Sequence, residues 1–468
     1  MVINLSQVHR DLFPNAQQPA LVLIAENTPA TESDTFTLFS VERSKSFKNH
    51  GAFEIGPESA RHLPVLDVAT KMDALKVASW GTARDWVLVQ KLLKCDTLST
   101  VLKNMGVTPC SGYNHGTPWK PTPAEMLGKK HLSQDAFHHC GIQLSSLPKF
   151  DKPKLEAPRD PKIYRAPLLL IANSLVRNRN RAASAYVNSD VIYSKMFTGI
   201  PVTNIGHRDV RFLNGILNSA VVTYFLFLSS PAWGVERYTL RQTEWMLVPI
   251  PSLADAPTGP LESLLEAEKA LRDSAAKGAD QSALLPNLDR AAYDLYGLSR
   301  NERALVEDML DLTIDFQCEH EASAALQACT ATELERYAAW VIRNIDPILQ
   351  SKREYTLNAR IFDWPRTKTA KTVTHPSRSL RAVEFSFVKG SPKEDPIDTV
   401  NFIDLDAALD MIANELDEEL VENLYTRRHL RIYDDNRVYV IKPDQKRCWS
   451  RSAALSDADA IIADHLGD

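Results

Sequence analysis

Long apolar runs are missing from this sequence. The candidate Leu213–Leu228 is interrupted by Asn214, Asn218, Ser219 and Thr223, and it falls short of the roughly 20 apolar residues that a membrane-spanning helix needs. The N-terminus lacks the basic segment followed by an apolar segment that a signal peptide requires. The sequence therefore predicts no membrane association, and it predicts Leu213–Leu228 as a buried helix.

Paired cysteines are missing as well. The six cysteines are far apart and no CxxC occurs, so neither a zinc ribbon nor a redox dithiol is indicated. His138, His139 and Cys140 are adjacent, but adjacent side chains rarely point at one ion. No metal site is predicted. Scattered reduced cysteines are typical of a cytoplasmic protein.

The chain has no excess of positive charge. A formal net charge of -5 argues against a wholly basic nucleic-acid coat, yet a local basic patch remains compatible with it because binding responds to nearby charge. Hydrophobic residues make up 44% and charged residues 24% of the chain, which is ordinary for a globular protein. The 468 residues allow two to four domains.

Familiar enzyme motifs are also absent. The sequence contains no GxxxxGK[ST] phosphate loop, no GxSxG elbow and no HExxH helix. The segment "KPDQK", with Asp444 and Lys446, resembles part of a nuclease site. It lacks a second acidic residue in the usual arrangement before a lysine, so a nuclease-like C-terminal domain is only an alternative.

The elements that are present predict a multidomain α+β protein. Strand-like runs "PALVLIAEN" and "DTFTLFSVER" open the chain, and "TARDWVLVQKLLK" follows with helical spacing. The proline-rich "VPIPSLADAPTGP" marks a domain edge. The predicted domains are 1–95, a mixed α/β domain at 96–257, a helical connector at 258–310, and an α+β domain at 311–468. Four aromatic residues are predicted in the core or frame: Trp233, Trp245, Tyr293 and Tyr296.

Two segments have the chemistry of nucleic-acid contacts. Eight basic residues against two acidic ones lie between Pro161 and Arg211, and "LVRNRNRAAS" alternates Arg177, Arg179 and Arg181. Alternation places arginines on one side, which suits phosphate or guanine contacts; the alternative is a solvated basic loop. The loop "SGYNHGTPWKP" is either a second DNA contact or a packed surface turn.

Several segments resemble N6-adenine DNA methyltransferases of restriction and phage-defence systems. "LFPNAQQPALVLIAEN" resembles the segment before one of the last strands of their Rossmann-like sheet, and "WGTARDWVLVQKLL" resembles the helix leading out of it. "FLNGILNSAVVTYFLFLSSPAWG" and "VPIPSL" follow in the order of TaqI-like specificity domains. The resemblance covers roughly residues 10–310 and implies that residues 1–95 are a partial Rossmann-like remnant and that 96–257 recognise DNA.

The sequence departs from this family at its catalytic motifs. No NPPY, DPPY or SPPY tetrapeptide occurs, and no glycine-rich turn for S-adenosylmethionine precedes the first strands. The resemblance therefore implies a chain that starts downstream of both motifs, with no catalytic residues and no cofactor of its own. S-adenosylmethionine is expected on a separate catalytic chain.

The resemblance implies a specificity subunit of a split adenine-methyltransferase or restriction-like phage-defence system. Its expected partners are double-stranded DNA and a catalytic adenine methyltransferase subunit. Open alternatives are a protein-interaction scaffold or regulatory subunit that does not read DNA, and a fragment of a single-chain restriction-modification enzyme. The expected DNA contacts are Tyr113, Asn114, His115, Lys120, Arg177, Arg179, Arg181 and Arg237.

Overall fold

The computed structural model describes residues 1–8, 12–13, 15, 18–31, 33–41, 60–71, 73–114, 116–173, 181–235, 238–363, 380–401, 410–412, 414 and 429–466. Four of the expected DNA contacts lie outside the described residues: His115, Arg177, Arg179 and Arg237. Most of the acidic segment 404–422 lies outside them too.

The chain groups into two compact units. The first unit consists of Met1–Val8, Leu21–Leu66 and Asp311–Asp468, and the second unit of His9–Ala20 and Asp67–Leu310. The boundaries predicted at residues 95 and 257 do not coincide with this division, because helices on both sides of each boundary pack together within the second unit. The architecture is α+β with several small mixed sheets, as the sequence predicted.

A four-stranded sheet forms the N-terminal part of the first unit. Its strands follow the order β2-β1-β3-β4: β1 Val2–Asn4, β2 Leu21–Leu23, β3 Thr35–Ser40 and β4 Ala60–Pro64. β1 and β3 are parallel, whereas the β1–β2 and β3–β4 pairs are antiparallel. The two strand-like runs predicted from the sequence are confirmed as β2 and β3. Strand β2 is at the edge, and all three of its side chains are exposed.

Three helices follow this sheet: α1 Val65–Thr70, α2 Ala74–Trp80 and α3 Ala83–Leu92. Helix α3 begins at a capping box in which the Thr82 hydroxyl accepts from the Asp85 backbone and the Asp85 carboxylate accepts from the Thr82 backbone. Its buried face includes Leu88, Val89 and Leu92. The helix predicted from "TARDWVLVQKLLK" is confirmed.

Small strands dominate the next part of the second unit. The main sheet has the order β13-β12-β15-β6, and pairs of two-residue strands surround it. One helix, α4 Leu98–Asn104, lies in this part of the chain. Its strands are β5 Asp96–Thr97, β6 Cys110–Ser111, β7 Lys120–Pro121, β8 Lys130–His131, β9 Phe137–His138, β10 Gly141–Ile142, β11 Lys154–Leu155, β12 Leu168–Ala172, β13 Ser184–Val187, β14 Val191–Ile192, β15 Phe197–Pro201 and β16 Pro249–Ile250.

Six helices complete the second unit: α5 His207–Leu217, α6 Ala220–Ser229, α7 Gln242–Trp245, α8 Thr258–Lys277, α9 Leu285–Leu295 and α10 Arg300–Asp308. The apolar run predicted as one helix is two, because Ser219 begins a new helix by accepting a hydrogen bond from the Val222 backbone. Both helices are largely buried. Helix α8 ends before Gly278, whose φ of 66° forms a left-handed cap.

Among the described residues, no single helix has the length and apolarity to cross a membrane. Helices α5 and α6 meet those criteria only when taken together, and they are bent by 58° relative to each other.

The core of the second unit contains a buried polar network around His139. The His139 Nδ1 lies 3.0 Å from Asn218 Oδ1, and Asn218 Nδ2 donates to the Ser184 carbonyl at 3.0 Å. Burial lowers the pKa of His139 to about 3, so the ring is neutral and its Nδ1–H donates to Asn218. The network joins helix α5 and its end to strand β13. Also buried, as predicted, are Trp233, Trp245, Tyr293 and Tyr296.

The C-terminal part of the first unit is a five-stranded sheet with helices. Its helices are α11 Asp315–Glu319, α12 Ala331–Arg353 and α13 Arg451–Leu466. The strand order is β19-β17-β18-β21-β20, with β17 Tyr355–Asp363, β18 Leu380–Lys389, β19 Ile397–Asn401, β20 Leu430–Asp434 and β21 Arg437–Pro443. Strand β19 is parallel to β17 and the other pairs are antiparallel.

The two residues of the nuclease-like segment serve this part of the fold. Asp444 Oδ1 lies 3.3 Å from the buried Arg381 guanidinium and accepts from the Cys329 backbone at 2.8 Å. Lys446 Nζ lies 3.0 Å from Glu333 Oε1. Within the part of the chain that the structure describes, no group of three or more histidine, cysteine or acidic side chains is arranged to hold a metal ion.

Candidate nucleic-acid interface

A short two-stranded ribbon in the second unit brings together two lysine-bearing segments. Strands β7 and β11 are antiparallel, with Lys120 opposite Leu155 and Pro121 opposite Lys154. The Trp119 backbone N–H donates to the Leu155 carbonyl at 3.3 Å, which extends the pairing by one residue. We refer to residues 118–122 and 152–155 as the basic ribbon.

The basic ribbon is rich in exposed positive charge. Lys120 and Lys154 are exposed, and Lys152 is half-buried. Between Pro118 and Leu155 the sequence has six lysines against three acidic residues. Two more exposed lysines, Lys130 and Lys149, face each other across an isolated bridge. Lysines this close repel one another, and binding of a polyanion would relieve that repulsion.

Trp119 is an exposed aromatic residue on this basic surface. Its exposed fraction is 63%, whereas Trp233 and Trp245 of the same unit are fully buried. The Lys120 ammonium lies 4.4 Å from the centre of the indole ring, within cation–π range. An exposed indole beside lysines is the combination that binds nucleobases by stacking and phosphates by charge.

A cavity of about 400 Å³ opens on the basic ribbon. Pro118, Pro153 and the buried Leu155 line it with apolar surface. Lys152 and Lys154 also line it. Cavities of roughly this size accommodate small organic groups.

Tyr113, in the loop that leads to the ribbon, is anchored in the core of the second unit. Its side chain has no exposed surface, its hydroxyl lies 2.8 Å from His131 Nε2, and its ring packs edge-on against Phe150 at 5.3 Å. Burial raises the pKa of Tyr113 to about 12, so the phenol stays protonated and available as a donor. The Lys152 ammonium lies 5.8 Å from the Tyr113 ring centre, which connects this core residue to the ribbon.

The two glycines around Tyr113 permit close backbone approach. A Cβ at Gly112 would lie 2.2 Å from the Tyr193 carbonyl oxygen, and one at Gly116 would lie 1.6 Å from Glu156 Oε2. The Glu156 carboxylate also accepts from Asn114 Nδ2 at 2.6 Å. Residues 112–114 of the loop are therefore a packed turn, whereas residues 116–121 are exposed.

The expected DNA contacts that the structure describes differ in how exposed their side chains are. Lys120 is exposed on the basic ribbon. Tyr113 is a core residue, so a direct base contact by its side chain is not compatible with its burial. The Asn114 amide group is engaged by Glu156.

Arg181, another of the expected DNA contacts, is largely enclosed within the second unit. Its guanidinium forms an ion pair with Asp289 and donates to the Asn218 carbonyl at 2.9 Å and 3.1 Å. Its side chain is only 12% exposed. Alternation in the sequence suggested three arginines on one surface, but the acidic partner of Arg181 is 108 residues away in the chain, and no local pattern identifies it.

Sequence reasoning missed Lys152 and Lys154, and it did not include Trp119 among the contacts. The available signal was a similarity between "WKP" at 119–121 and "KPK" at 152–154. Proline confines both segments to extended backbone, but only the strand pairing shows that they are neighbours.

No protein-family profile and no curated protein matches this chain. Its structure has partial likeness to the type IIL restriction-modification enzyme MmeI in complex with DNA, at 13% identity and a TM-score of 0.29, covering 46% of this chain and 36% of that chain. A second likeness is to the type IIG restriction endonuclease BpuSI, at 11% identity and a TM-score of 0.31, covering 60% and 40%. A third is to a type I restriction-modification system, at 13% identity and a TM-score of 0.21, covering 54% and 61%.

The chain spans less than two thirds of the length of each of these solved chains. At these TM-scores the likeness carries no weight for the function of this chain.

Proposed function

We propose that the second unit binds double-stranded DNA through the basic ribbon. The observation that carries this proposal is the joining of Trp119, Lys120 and Lys154 on one antiparallel ribbon, with Lys152 beside them. These residues belong to two segments that are distant in the sequence, and the strand pairing brings them to one surface.

The chemistry of the ribbon fits a duplex. The major groove admits a two-stranded β-ribbon as well as a helix, and lysines bind phosphates on the groove edges without reading sequence. Lys120 and Lys154 supply those charges, and the rigid prolines at 118, 121 and 153 keep the backbone extended. Positioning by phosphate contacts is therefore the first role of the ribbon.

We further propose that the chain is the non-catalytic specificity subunit of a split adenine-methyltransferase or restriction-like defence system in the cytoplasm. The resemblance of residues 10–310 to adenine methyltransferases, together with the missing NPPY-type tetrapeptide, supports this assignment. S-adenosylmethionine and the catalytic groups would be carried by a partner chain.

Strand β2 supports the need for such a partner. Leu21 and Leu23 are 64% and 65% exposed at an edge of the N-terminal sheet, and among the described residues β2 pairs only with β1. An exposed apolar edge strand promotes aggregation unless another strand covers it. A strand of the catalytic subunit would satisfy this edge.

The DNA-binding proposal is tested by measuring affinity for a duplex over a range of salt concentrations. Replacing Lys120, Lys152 and Lys154 by alanine is expected to weaken binding and to reduce the dependence on salt by about one unit of slope for each lost phosphate contact. The matched control replaces three exposed helical lysines of the same unit by alanine: Lys103, Lys269 and Lys277. Equal effects of the two triple variants would contradict the assignment of the ribbon.

The subunit proposal is tested by co-purification with a candidate catalytic chain, followed by methyl transfer from labelled S-adenosylmethionine to duplex DNA. Activity only when both chains are present is the expected result. Association without DNA binding would favour the scaffold alternative, and activity of this chain alone would contradict a non-catalytic role.

A further inference from the structure

We propose that Arg159 is a specificity-determining residue of the second unit, and that it reads a guanine in the major groove of duplex DNA. This inference rests on the proposed DNA binding and adds a base-specific contact to it. The phosphate contacts proposed for the ribbon lysines carry no sequence information, so the choice of one DNA sequence over another needs a different residue.

Arg159 lies just beyond one end of the basic ribbon. The segment that contains Lys154 continues to Ala157, whose carbonyl accepts from the Asn114 backbone N–H at 3.2 Å. Arg159 follows two residues later and is exposed. The five residues from Lys154 to Arg159 span at most roughly 18 Å of chain, which is about half a turn of B-DNA. One duplex can therefore contact both side chains.

The Arg159 guanidinium is held at one of its nitrogens. Its Nε–H donates to the Gly112 carbonyl at 3.4 Å. Gly112 is itself fixed to the main sheet, because its backbone N–H donates to the Phe197 carbonyl at 3.4 Å. The bond to Gly112 uses only Nε, so the Nη1 and Nη2 amino groups keep their N–H donors for a ligand. A planar fork that is already oriented loses less side-chain entropy on binding.

The charge of Arg159 differs from that of other arginines in this unit. Arg165, Arg181 and Arg211 each lie within ion-pair distance of a carboxylate, whereas none of the described acidic side chains lies that close to Arg159. The neighbouring Asp160 carboxylate instead accepts from the Lys162 backbone at 2.9 Å. An exposed guanidinium in these surroundings is suited to a ligand with acceptor atoms.

The rigid backbone around Arg159 favours a base edge over a phosphate as that ligand. Pro158 and Pro161 flank the residue at close range, and proline restricts both its own backbone and that of the residue before it. A phosphate contact needs only nearby charge, which flexible lysines supply, whereas base reading needs donors held in one place. Guanine presents two adjacent acceptors, O6 and N7, which match the two Nη groups of one arginine.

The test selects binding sites from a library of randomised duplexes, with the wild-type chain and with Arg159→Ala. The wild-type sites are expected to have guanine at one position, and changing that base pair is expected to weaken wild-type binding about tenfold. Arg159→Ala is expected to accept all four bases there and to keep the preferences at other positions. Replacing that guanine by 7-deazaguanine, which lacks the N7 acceptor, should weaken binding of the wild-type chain but not of the variant.

Two further variants separate base reading from a loss of charge. Lys154→Ala is expected to weaken binding to every sequence while the selected sites stay the same. Arg165→Ala removes an exposed arginine that lies 3.7 Å from Glu125, and it is expected to select the wild-type sites. Thermal unfolding checks that Arg159→Ala, a change at an exposed residue, keeps its stability.

Three results for Arg159→Ala would overturn the inference. Selection of the same sites as the wild-type chain would show that the residue reads no base. Equal weakening of binding to all sequences would indicate a phosphate contact. Relaxed preference at every position would indicate that the residue only supports the ribbon.

The proposed function has a different failure. It fails if the wild-type chain binds no duplex or if the ribbon lysines do not affect affinity, and the inference then fails with it. Salt-dependent binding through the lysines, with no guanine preference that depends on Arg159, would leave the proposed DNA binding standing and overturn the inference alone.

Discussion

Arg181 precedes strand β13, and its guanidinium is enclosed by Asp289 and the Asn218 carbonyl. Asp289 also accepts from the Ala220 backbone at 2.7 Å, so one carboxylate joins helix α9, helix α6 and the segment before β13. Removal of the arginine would leave that carboxylate buried without a cation. Arg181 is therefore expected to contribute to the stability of the second unit.

Arg181→Met is expected to lower the free energy of unfolding by roughly 3–5 kcal/mol, because an uncompensated buried charge is costly. Denaturant unfolding measures this loss. Arg208→Met is the matched control, since the Arg208–Glu262 pair is 57% and 54% exposed and such pairs contribute less than about 1 kcal/mol. Equal stability of the two variants, with DNA affinity lost only in Arg181→Met, would instead indicate a direct DNA contact.

Lys76 is a half-buried basic residue, and it has no ion pair at short distance among the described contacts. Its ammonium donates to the Ser230 carbonyl at 3.0 Å and to the Trp233 carbonyl. Burial lowers the pKa of Lys76 to about 7, and the charge of Glu244 opposes this shift. The lysine supports the turn after helix α6 while titrating close to neutral pH.

The stability of the second unit should therefore depend on pH through Lys76. Between its folded pKa of about 7 and the unfolded value near 10.4, the unfolded chain holds a proton that the folded chain has released. Stability consequently increases as pH rises through this window, by at most about 1.4 kcal/mol per pH unit. Urea unfolding at pH 7, 8 and 9 measures the slope.

The difference between wild type and Lys76→Met isolates this contribution from other titrating groups. The variant is expected to have the smaller slope. Lys71→Met is the control, because Lys71 is 43% exposed and pairs with Asp67. A slope that is unchanged in Lys76→Met would show that another group is responsible.

At the scale of elements, the turn beside the basic ribbon depends on backbone approach at Gly112. The residue leaves strand β6, and a Cβ there would lie 2.2 Å from the Tyr193 carbonyl oxygen and 2.5 Å from the Ser194 carbonyl oxygen. Both atoms are backbone and cannot rotate away. The turn can hold Tyr113 in the core only while this position has no side chain.

Gly112→Ala is expected to cost roughly 1–3 kcal/mol or more through overpacking and to weaken DNA binding by displacing the ribbon. Thermal unfolding and duplex affinity measure the two effects. Gly206→Ala is the control, because its Cβ would meet only the Asp209 side chain, at 3.3 Å. A fully stable Gly112→Ala variant with normal affinity would show that the turn can be rebuilt.

The sequence identifies elements whose signals are local. Helix α8 has helix-forming residues and Gly278 as its end signal, and Thr82 and Ser299 begin helices with capping boxes. The break at Ser219 also has a local cause, the helix-capping serine. The apolar residues on both sides of it nevertheless predicted one continuous helix. The two-residue strands have no such signal, because Lys120 pairs with Leu155 only through tertiary folding.

The candidate site was predictable only in part for the same reason. Lys120 was identified from its loop, but its neighbours Lys152 and Lys154 belong to a different segment. The enclosure of Arg181 was not predictable, because its partner Asp289 is remote in sequence. Local patterns indicate which residues have suitable chemistry, whereas burial and pairing decide which of them face the solvent.

At the scale of the whole molecule, the proposed roles belong to different units. The basic ribbon is in the second unit, and the exposed edge strand β2 is in the first unit. A chain with a net charge of -5 can bind a polyanion when its positive charge is local. The two roles should therefore be separable by substitution.

A reciprocal pair of variants tests this separation in the full chain. Leu21→Lys with Leu23→Lys changes alternate positions on one side of β2, both already exposed, so folding should be retained while the charges prevent strand addition. This variant is expected to lose co-purification with the catalytic subunit and to keep its affinity for duplex DNA. The ribbon triple variant is expected to show the opposite pattern.

Each variant serves as the control for the other, because both change exposed or half-buried residues of the same chain. Loss of both functions in either variant would contradict the separation of roles. Retention of partner binding in the β2 variant would show that the proposed catalytic subunit docks elsewhere, and the exposed edge of β2 would then need another explanation. The expected reciprocal result would mean that partner binding and DNA binding depend on different surfaces, so that a partner chain could supply the chemistry while this chain selects its DNA.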